Sequence, residues 1–374
     1  MKLYKKIFLG LIERLLLRKK LIVFNKSGKK NALVSYVLIP PFNLDSYFMS
    51  SHNNRLACKY IIDVLVEKGY KVYLYNYFDK DVDYSVNYDI FIGHNVTFYE
   101  IANKMNISCE KILLLTGSNP AFDNKQLERR NEYLHKRHRV KLPYKPLSDE
   151  HVIPNFEVAK KILVMGNDFV TRTWPQNYSK KYRIYNNILK NPVRKKSTRT
   201  NVFIFMASIV MLRRGLDLLL DVFSKRTEKI YICGPFEKEK EFMDIYSSII
   251  DKSDNIISLG YVDTNSKEFY DVVTESTFAI LPSCSEGQSS IVIDFMALGL
   301  VPIIMENSGF ENIDEIGYKI TDDSVEGINS IVDIALSATD DEIDKKRDAI
   351  VKYLDIFKED AFKENFQTII EKKI

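Results

Sequence analysis

Short apolar runs ending in small or polar residues alternate with stretches of helical spacing twice along this chain, and few folds accept that pattern. The first series opens with ALVSYVLIP (32–40), which reads as a buried parallel strand, and a polar loop to Asn54 follows. Leu56, Tyr60, Ile61, Val64 and Leu65 then share one helical face, and Gly69 closes that helix before a second strand, KVYLYNYF. This makes one β-α-β unit of the doubly wound kind, continued by YDIFIG (88–93), KILLLT (111–116) and KILVMG (161–166). The second series begins at Asn201 with NVFIFMAS and runs through GLDLLLDVFS, KIYICG, a helix over 237–250, NIISLG, a helix over 266–274, TFAILP and a helix over 289–298 to VPIIM. It supplies five strands joined by four helices.

A length of 374 residues suits two such domains, each with its own apolar core. The expected division is a basic segment at 1–30, a first α/β domain at 31–190, a second at 198–345 and a C-terminal helix at 346–374. The basic, Pro-containing stretch NNILKNPVRKKSTRT after Tyr185 reads as the interdomain linker. The charged stretch from Asn124 to Leu147 reads as an inserted helix and loop.

The formal charge of +4 hides a strong asymmetry. Residues 1–30 hold ten Lys or Arg against Glu13 alone, which leaves the rest of the chain net acidic. That argues against a nucleic-acid groove across the body and for an anionic partner at the N-terminus. Leu3, Ile7, Leu11, Leu15 and Ile22 recur near helical spacing there, so the segment is expected to lie on an anionic membrane surface as an amphipathic helix. Lys5, Lys6, Arg14 and the Arg18-Lys19-Lys20 run rule out a spanning helix. The scattered Cys58, Cys109, Cys233 and Cys284 form no C-x-x-C pair, and the five histidines no H-E-x-x-H motif. A reduced, cytoplasmic setting and no structural metal follow as expectations.

Chemistry concentrates in ILPSCSEGQSSIVIDFMALGLVPII. A buried strand ends at Pro282, a small-residue loop carries Glu286 and Gly287, and a helix starts near Ser289. Free backbone N–H groups at such a start suit a diphosphate, which places Gln288, Ser289 and Ser290 on the donor side. Asp294 lies eight residues after Glu286, up to ~12 Å along the axis if the interval were helical. One carboxylate can then face the sugar end of a nucleotide sugar and the other its ribose.

The segment P-S-C-S-E-G-Q-S-S-I-V-I-D-F-M-A-L-G-L-V-P-I-I resembles the Glu-x7-Glu signature of family 4 retaining glycosyltransferases, with Asp294 in place of the second Glu. The resemblance implies the GT-B architecture, two facing Rossmann-like domains, with Glu286 contacting the donor sugar and Asp294 the ribose. FMASIVMLRRGLDLLLDVF (205–223) is similar to the family's strand, loop and K-G-x-D-x-L-L segment, with Arg214 in place of the Lys and Arg213 beside it. Both guanidiniums suit a leaving diphosphate, and no obligatory metal is implied. The glycine that the family often has near Ile209 and Val210 is missing here, and Gly234 matches its base-proximal glycine.

The first domain resembles a bacterial branch of such transferases. Ser51, His52 and Asn53 sit in one strand-helix loop and Thr116, Gly117 and Ser118 in another, both expected to face the cleft. His52 and His94 are candidate catalytic contacts, and each reads equally well as a helix cap or a loop hydrogen-bonder. Asp81 and Asp83 read as solvated loop charge. The basic run NEYLHKRHRVK reads as a solvated helix face or as a site for a lipid-linked phosphate.

The implied reaction is transfer from a UDP- or GDP-sugar, with retention, to a glycan or lipid-linked acceptor in cell-surface polysaccharide synthesis. Its expected place is the inner face of the cytoplasmic membrane. A non-catalytic nucleotide-sugar-binding module and a sugar-nucleotide epimerase on the same architecture are the alternatives.

Overall fold

The computed structural model describes residues 21–41, 49, 53–178, 180–193 and 199–372. Its architecture is α/β, with two mostly parallel sheets. The first sheet contains β1 (Ile22–Phe24), β2 (Lys30–Tyr36), β3 (Tyr70–Asn76), β4 (Ile90–His94), β5 (Glu110–Leu115), β6 (Lys161–Met165) and β7 (Lys181–Ile184). Its strand order is β1-β3-β2-β4-β5-β6-β7, and only the β1–β3 pair is antiparallel. The second sheet contains β8 (Phe203–Met206), β9 (Ile230–Cys233), β10 (Ile256–Gly260), β11 (Phe278–Leu281), β12 (Val301–Met305) and β13 (Tyr318–Ile320). Its order is β10-β9-β8-β11-β12-β13, parallel throughout.

The strands follow from the apolar runs. Leu33 and Val34 on β2, or Phe278 through Leu281 on β11, are buried on both faces, which is why those strands lack alternation. In each sheet the chain reverses its direction of growth, between β2 and β4 in the first and between β8 and β11 in the second. The loops at the carboxyl ends of these strands open a crevice.

Five features depart from the sequence expectations. The first sheet ends in β7, a four-residue strand beside β6 that no apolar run announced. Ile22, grouped there with the amphipathic helical stripe, lies in β1 opposite Leu74. The remainder of that stripe, residues 1–20, falls outside the described residues. The second sheet has a sixth strand, β13, whose three residues are too short a run to register as a period. The other two departures exchange helices between the domains.

The helix Pro120–His138, capped by Asn119, buries Leu127 and Leu134 in the core of the second domain together with Phe203 and Phe223. Beside them Arg130 is fully buried, donating to Pro282 O and to Asp323, both at 3.1 Å. Arg137 pairs with Asp217 and Asp221, and His138 bonds Asp221. Arg137 and His138 of the basic run are thus tied into the second domain, while His135, Lys136, Arg139 and Lys141 are exposed, as a solvated face would have them.

In return, the C-terminal segment bends through Leu354–Phe357 into the helix Glu359–Glu371. Phe362, Phe366 and Ile369 of that helix pack into the first core, with Phe362 5.6 Å from the ring of Tyr60. Among the described residues no helix is long and apolar enough to cross a membrane.

Candidate active site

A cavity of about 750 Å3 lies between the two sets of strand ends. From the first domain, Asn53, Thr116 and Met165 reach it; from the second, Ala207, Ser208, Gly234, Tyr261, Glu286 and Asp294 do. Its volume falls in the range of small-molecule sites.

Glu286 and Arg214 form an ion pair within its lining, each side chain mostly shielded from solvent. Ser283 Oγ donates to Glu286 Oε2 at 3.2 Å. Burial first, and then the neighbouring Arg213, bring the Arg214 guanidinium down to about 10, so it remains charged at neutral pH. The local sequence Arg-Arg-Gly explains how Arg214 gets there. Gly215 has φ +81°, and a Cβ on it would lie 2.4 Å from the carbonyl of Pro282, so only glycine lets this turn seat against the end of β11.

Arg213 does not line the cavity. It turns toward Asp123, with Nη1 4.0 Å from Oδ2. Adjacent residues in one turn point to different sides, and sequence alone does not say which of the two faces the ligand.

The loop before these arginines keeps a glycine-like shape without glycine. Val210 adopts φ 54° and ψ 68°, a left-handed conformation that a β-branched residue rarely takes. The Glu239 carboxylate holds this turn by accepting from Met211 N at 3.0 Å.

Asp294 lines the cavity but is already engaged. Its Oδ1 accepts from Leu189 N at 3.1 Å, in the segment read as linker. Burial is the main cause that raises its carboxyl to about 7, against the opposing pull of Lys190 and of the Leu189 and Lys190 amides. Gln288 is also tied to that segment, since Oε1 accepts from Asn186 N and its backbone O from Asn186 Nδ2. Ser289 and Ser290, at the start of the helix Ser290–Ala297, line the cavity.

Gly287 packs closely against the first domain, where a Cβ on it would sit 3.0 Å from Gly117 Cα. Ser118 Oγ donates to Glu286 O at 3.1 Å, and Gly117 O accepts from Trp174 Nε1. Asn53 Nδ2 donates to Asn187 O at 2.8 Å.

His94 stands behind Thr116 and off the cavity wall, with Nε2 3.2 Å from Thr116 Oγ1 and its ring against Tyr36 and Tyr77. Burial, reinforced by His151, pushes its pKa down to about 4, so the imidazole is neutral and weakly basic. This places it as a support for Thr116 rather than as a group that touches ligand. His52 and Ser51 lie outside the described residues. Asp83 is exposed and bonds Ser85, in keeping with solvated loop charge. Among the described residues no group of three His, Cys, Asp or Glu is arranged to hold a metal ion.

The sequence reading missed the cavity-lining residues Asn186, Leu189, Lys238 and Asn265. Only the position of Lys238 and Asn265 after strands signalled them.

Residues 200–336 match the family model described as Glycosyl transferases group 1. Comparison with curated proteins finds no significant match. Among solved structures, the chain is similar to a glycosyltransferase from Rickettsia africae ESF-5, with TM-score 0.58, 13% identity and coverage of 92% of this chain and 100% of that one. It is also similar to Anabaena HepE in complex with UDP and glucose (TM-score 0.57, 9% identity, 92% and 100% covered). A third is the sucrose-phosphate synthase of Thermosynechococcus elongatus (TM-score 0.61, 10% identity, 91% and 98% covered). The chain therefore has the GT-B fold, and residues 200–336 within it are similar to the group 1 glycosyl transferases.

Proposed function

We propose that this protein is an enzyme that transfers a glycosyl unit from a UDP- or GDP-linked sugar to a glycan or lipid-linked acceptor, with retention, in cell-surface polysaccharide synthesis. The observation that carries the reading is the Arg214–Glu286 pair within the lining of the interdomain cavity. As the glycosidic bond breaks, negative charge grows on the diphosphate oxygens. A fixed guanidinium there stabilises the transition state without reorganising at the moment of reaction. Glu286 orients the sugar through its hydroxyls, and the start of the helix Ser290–Ala297 receives the diphosphate. Asp294 meets the ribose with a carboxylate that the linker also holds. HepE, a structural neighbour, is itself seen with UDP and glucose.

Because Arg214 supplies the positive charge, turnover is expected to proceed without an obligatory metal. Release of UDP or GDP from UDP-glucose, UDP-N-acetylglucosamine and GDP-mannose, with and without EDTA, checks this. Rates within about twofold are expected, and a loss beyond about tenfold would mean that an ion shares the leaving-group role. Nucleotide binding without turnover of any donor would instead favour a binding module, a reading that the strained Val210 turn and the engaged Asp294 motivate.

The charge of residues 1–30, ten Lys or Arg against one Glu, suits an anionic surface and supports an acceptor at the inner face of the cytoplasmic membrane. Vesicles containing phosphatidylglycerol should pellet the full chain and leave a variant lacking residues 1–20 in solution. Equal pelleting of both would remove the membrane assignment.

A further inference from the structure

The loop carrying Glu286 is gripped from behind, on the side away from the cavity. Ser118 Oγ reaches the carbonyl of Glu286 at 3.1 Å, and Arg130 Nη2 the carbonyl of Pro282 at 3.1 Å. Between them Asp123, in the first turn of the helix Pro120–His138, accepts a hydrogen bond from Ser285 Oγ through Oδ1. Its Oδ2 lies 4.0 Å from Arg213 Nη1.

The two partners of Asp123 have a common relation to the site. Ser285 immediately precedes Glu286, and Arg213 immediately precedes Arg214. One carboxylate therefore touches both loops from which the donor-facing pair projects. It does so from a stretch of chain that belongs by sequence to the first domain and by packing to the second.

Asp123 is largely shielded, its side chain 14% exposed. Burial holds its carboxyl above the ordinary value, while the Ser285 hydrogen bond, Arg213 and Arg214 pull it the other way. A largely shielded carboxylate on two loops costs desolvation and is not needed to close the second core, which Leu127, Leu134 and the fully buried Arg130 already do.

We propose that Asp123 is a positioning residue that fixes Glu286 and Arg214 relative to one another, so that the pair is assembled only when the helix Pro120–His138 is seated on the second domain. It touches neither donor nor acceptor and acts through Ser285 and Arg213. This rests on reading Glu286 and Arg214 as the donor-facing pair. A displacement of about 1 Å at reacting groups lowers rates by as much as ~10²-fold, so the expected effect falls on turnover.

The experiment compares wild type, Asp123→Ala and Asp123→Asn in the full chain. Steady-state release of UDP or GDP is measured for the donors named above, together with thermal unfolding and amide hydrogen exchange. Asp123→Ala should lower kcat by roughly 10- to 100-fold with KM for donor within about threefold. Asp123→Asn, which still accepts from Ser285 Oγ, should recover most of kcat. A general packing defect would change unfolding and would not be rescued in this way.

Exchange at residues 283–288 should quicken in Asp123→Ala, while the core of the helix Pro120–His138 stays protected. If wild type turns over donor and Asp123→Ala matches it, the proposal is overturned and the functional reading stands. If wild type turns over none of the donors, the functional reading is at fault. The exchange comparison then decides the structural half, and equal exchange at 283–288 in both proteins overturns it.

Discussion

Glu286→Gln is expected to lower donor turnover by about 10²- to 10³-fold while leaving affinity for UDP or GDP within roughly threefold. The substitution keeps the shape of the side chain and its hydrogen bond from Ser283, and removes the charge that faces Arg214 and the sugar. A group that acts on the sugar as it departs contributes to the transition state and little to holding the nucleotide. Arg214→Met should do the opposite to binding. Charge-assisted hydrogen bonds to phosphate contribute about 1.5–3 kcal/mol, so nucleotide affinity should fall by roughly 10- to 100-fold. The two variants thus separate the sugar end of the site from the phosphate end. Steady-state kinetics of nucleotide release and calorimetric titration together read both.

Asp294→Asn is expected to stabilise the protein at pH 8 and to do so less and less toward pH 5. The folded carboxyl titrates at about 7, against roughly 3.9 in an unfolded chain. Between those values the folded state binds more protons than the unfolded one, so stability falls as pH rises and levels off above the folded value. Ionising this buried group costs up to ~4 kcal/mol by that difference, and the neutral amide avoids the cost. Unfolding at pH 5, 6.5 and 8 checks the sign: the gap between variant and wild type should widen with pH. A constant gap would mean that Asp294 is not held near neutrality. The same variant should weaken nucleotide binding, because it alters both the ribose side of the cavity and the anchor of Leu189.

The sequence displayed the strands well because parallel strands buried on both faces are continuous apolar runs, and the spacing from Glu286 to Asp294 survives folding as two positions on one cavity. It misled where burial depends on distant partners. The stretch after Asn124 reads as an inserted helix and loop because it is charged, and its composition gives no sign of the domain on which it packs. Yet Arg130 is fully buried, its guanidinium matched by the Pro282 carbonyl and Asp323, acceptors more than 150 residues away in sequence. The segment from Asn186 reads as a linker because it is basic, Pro-containing and poor in apolar residues, although Asn186 donates to Gln288 Oε1 and O and the Asn187 carbonyl accepts from Asn53. The C-terminal helix carries Phe362, Phe366 and Ile369 at helical spacing, and nothing in that spacing says that the core awaiting them is the first domain's. The roles of Arg213 and Arg214 separate only once the turn at Gly215 sets their directions.

The central claim is that the cavity holds a nucleoside diphosphate against Arg214. Its most direct measurement is titration of UDP and GDP into wild type and Arg214→Met by calorimetry at one ionic strength. The account predicts that wild type binds at least one of the two and that the variant binds it roughly 10- to 100-fold more weakly. Binding of neither nucleotide to wild type, or equal affinity in both proteins, would contradict it.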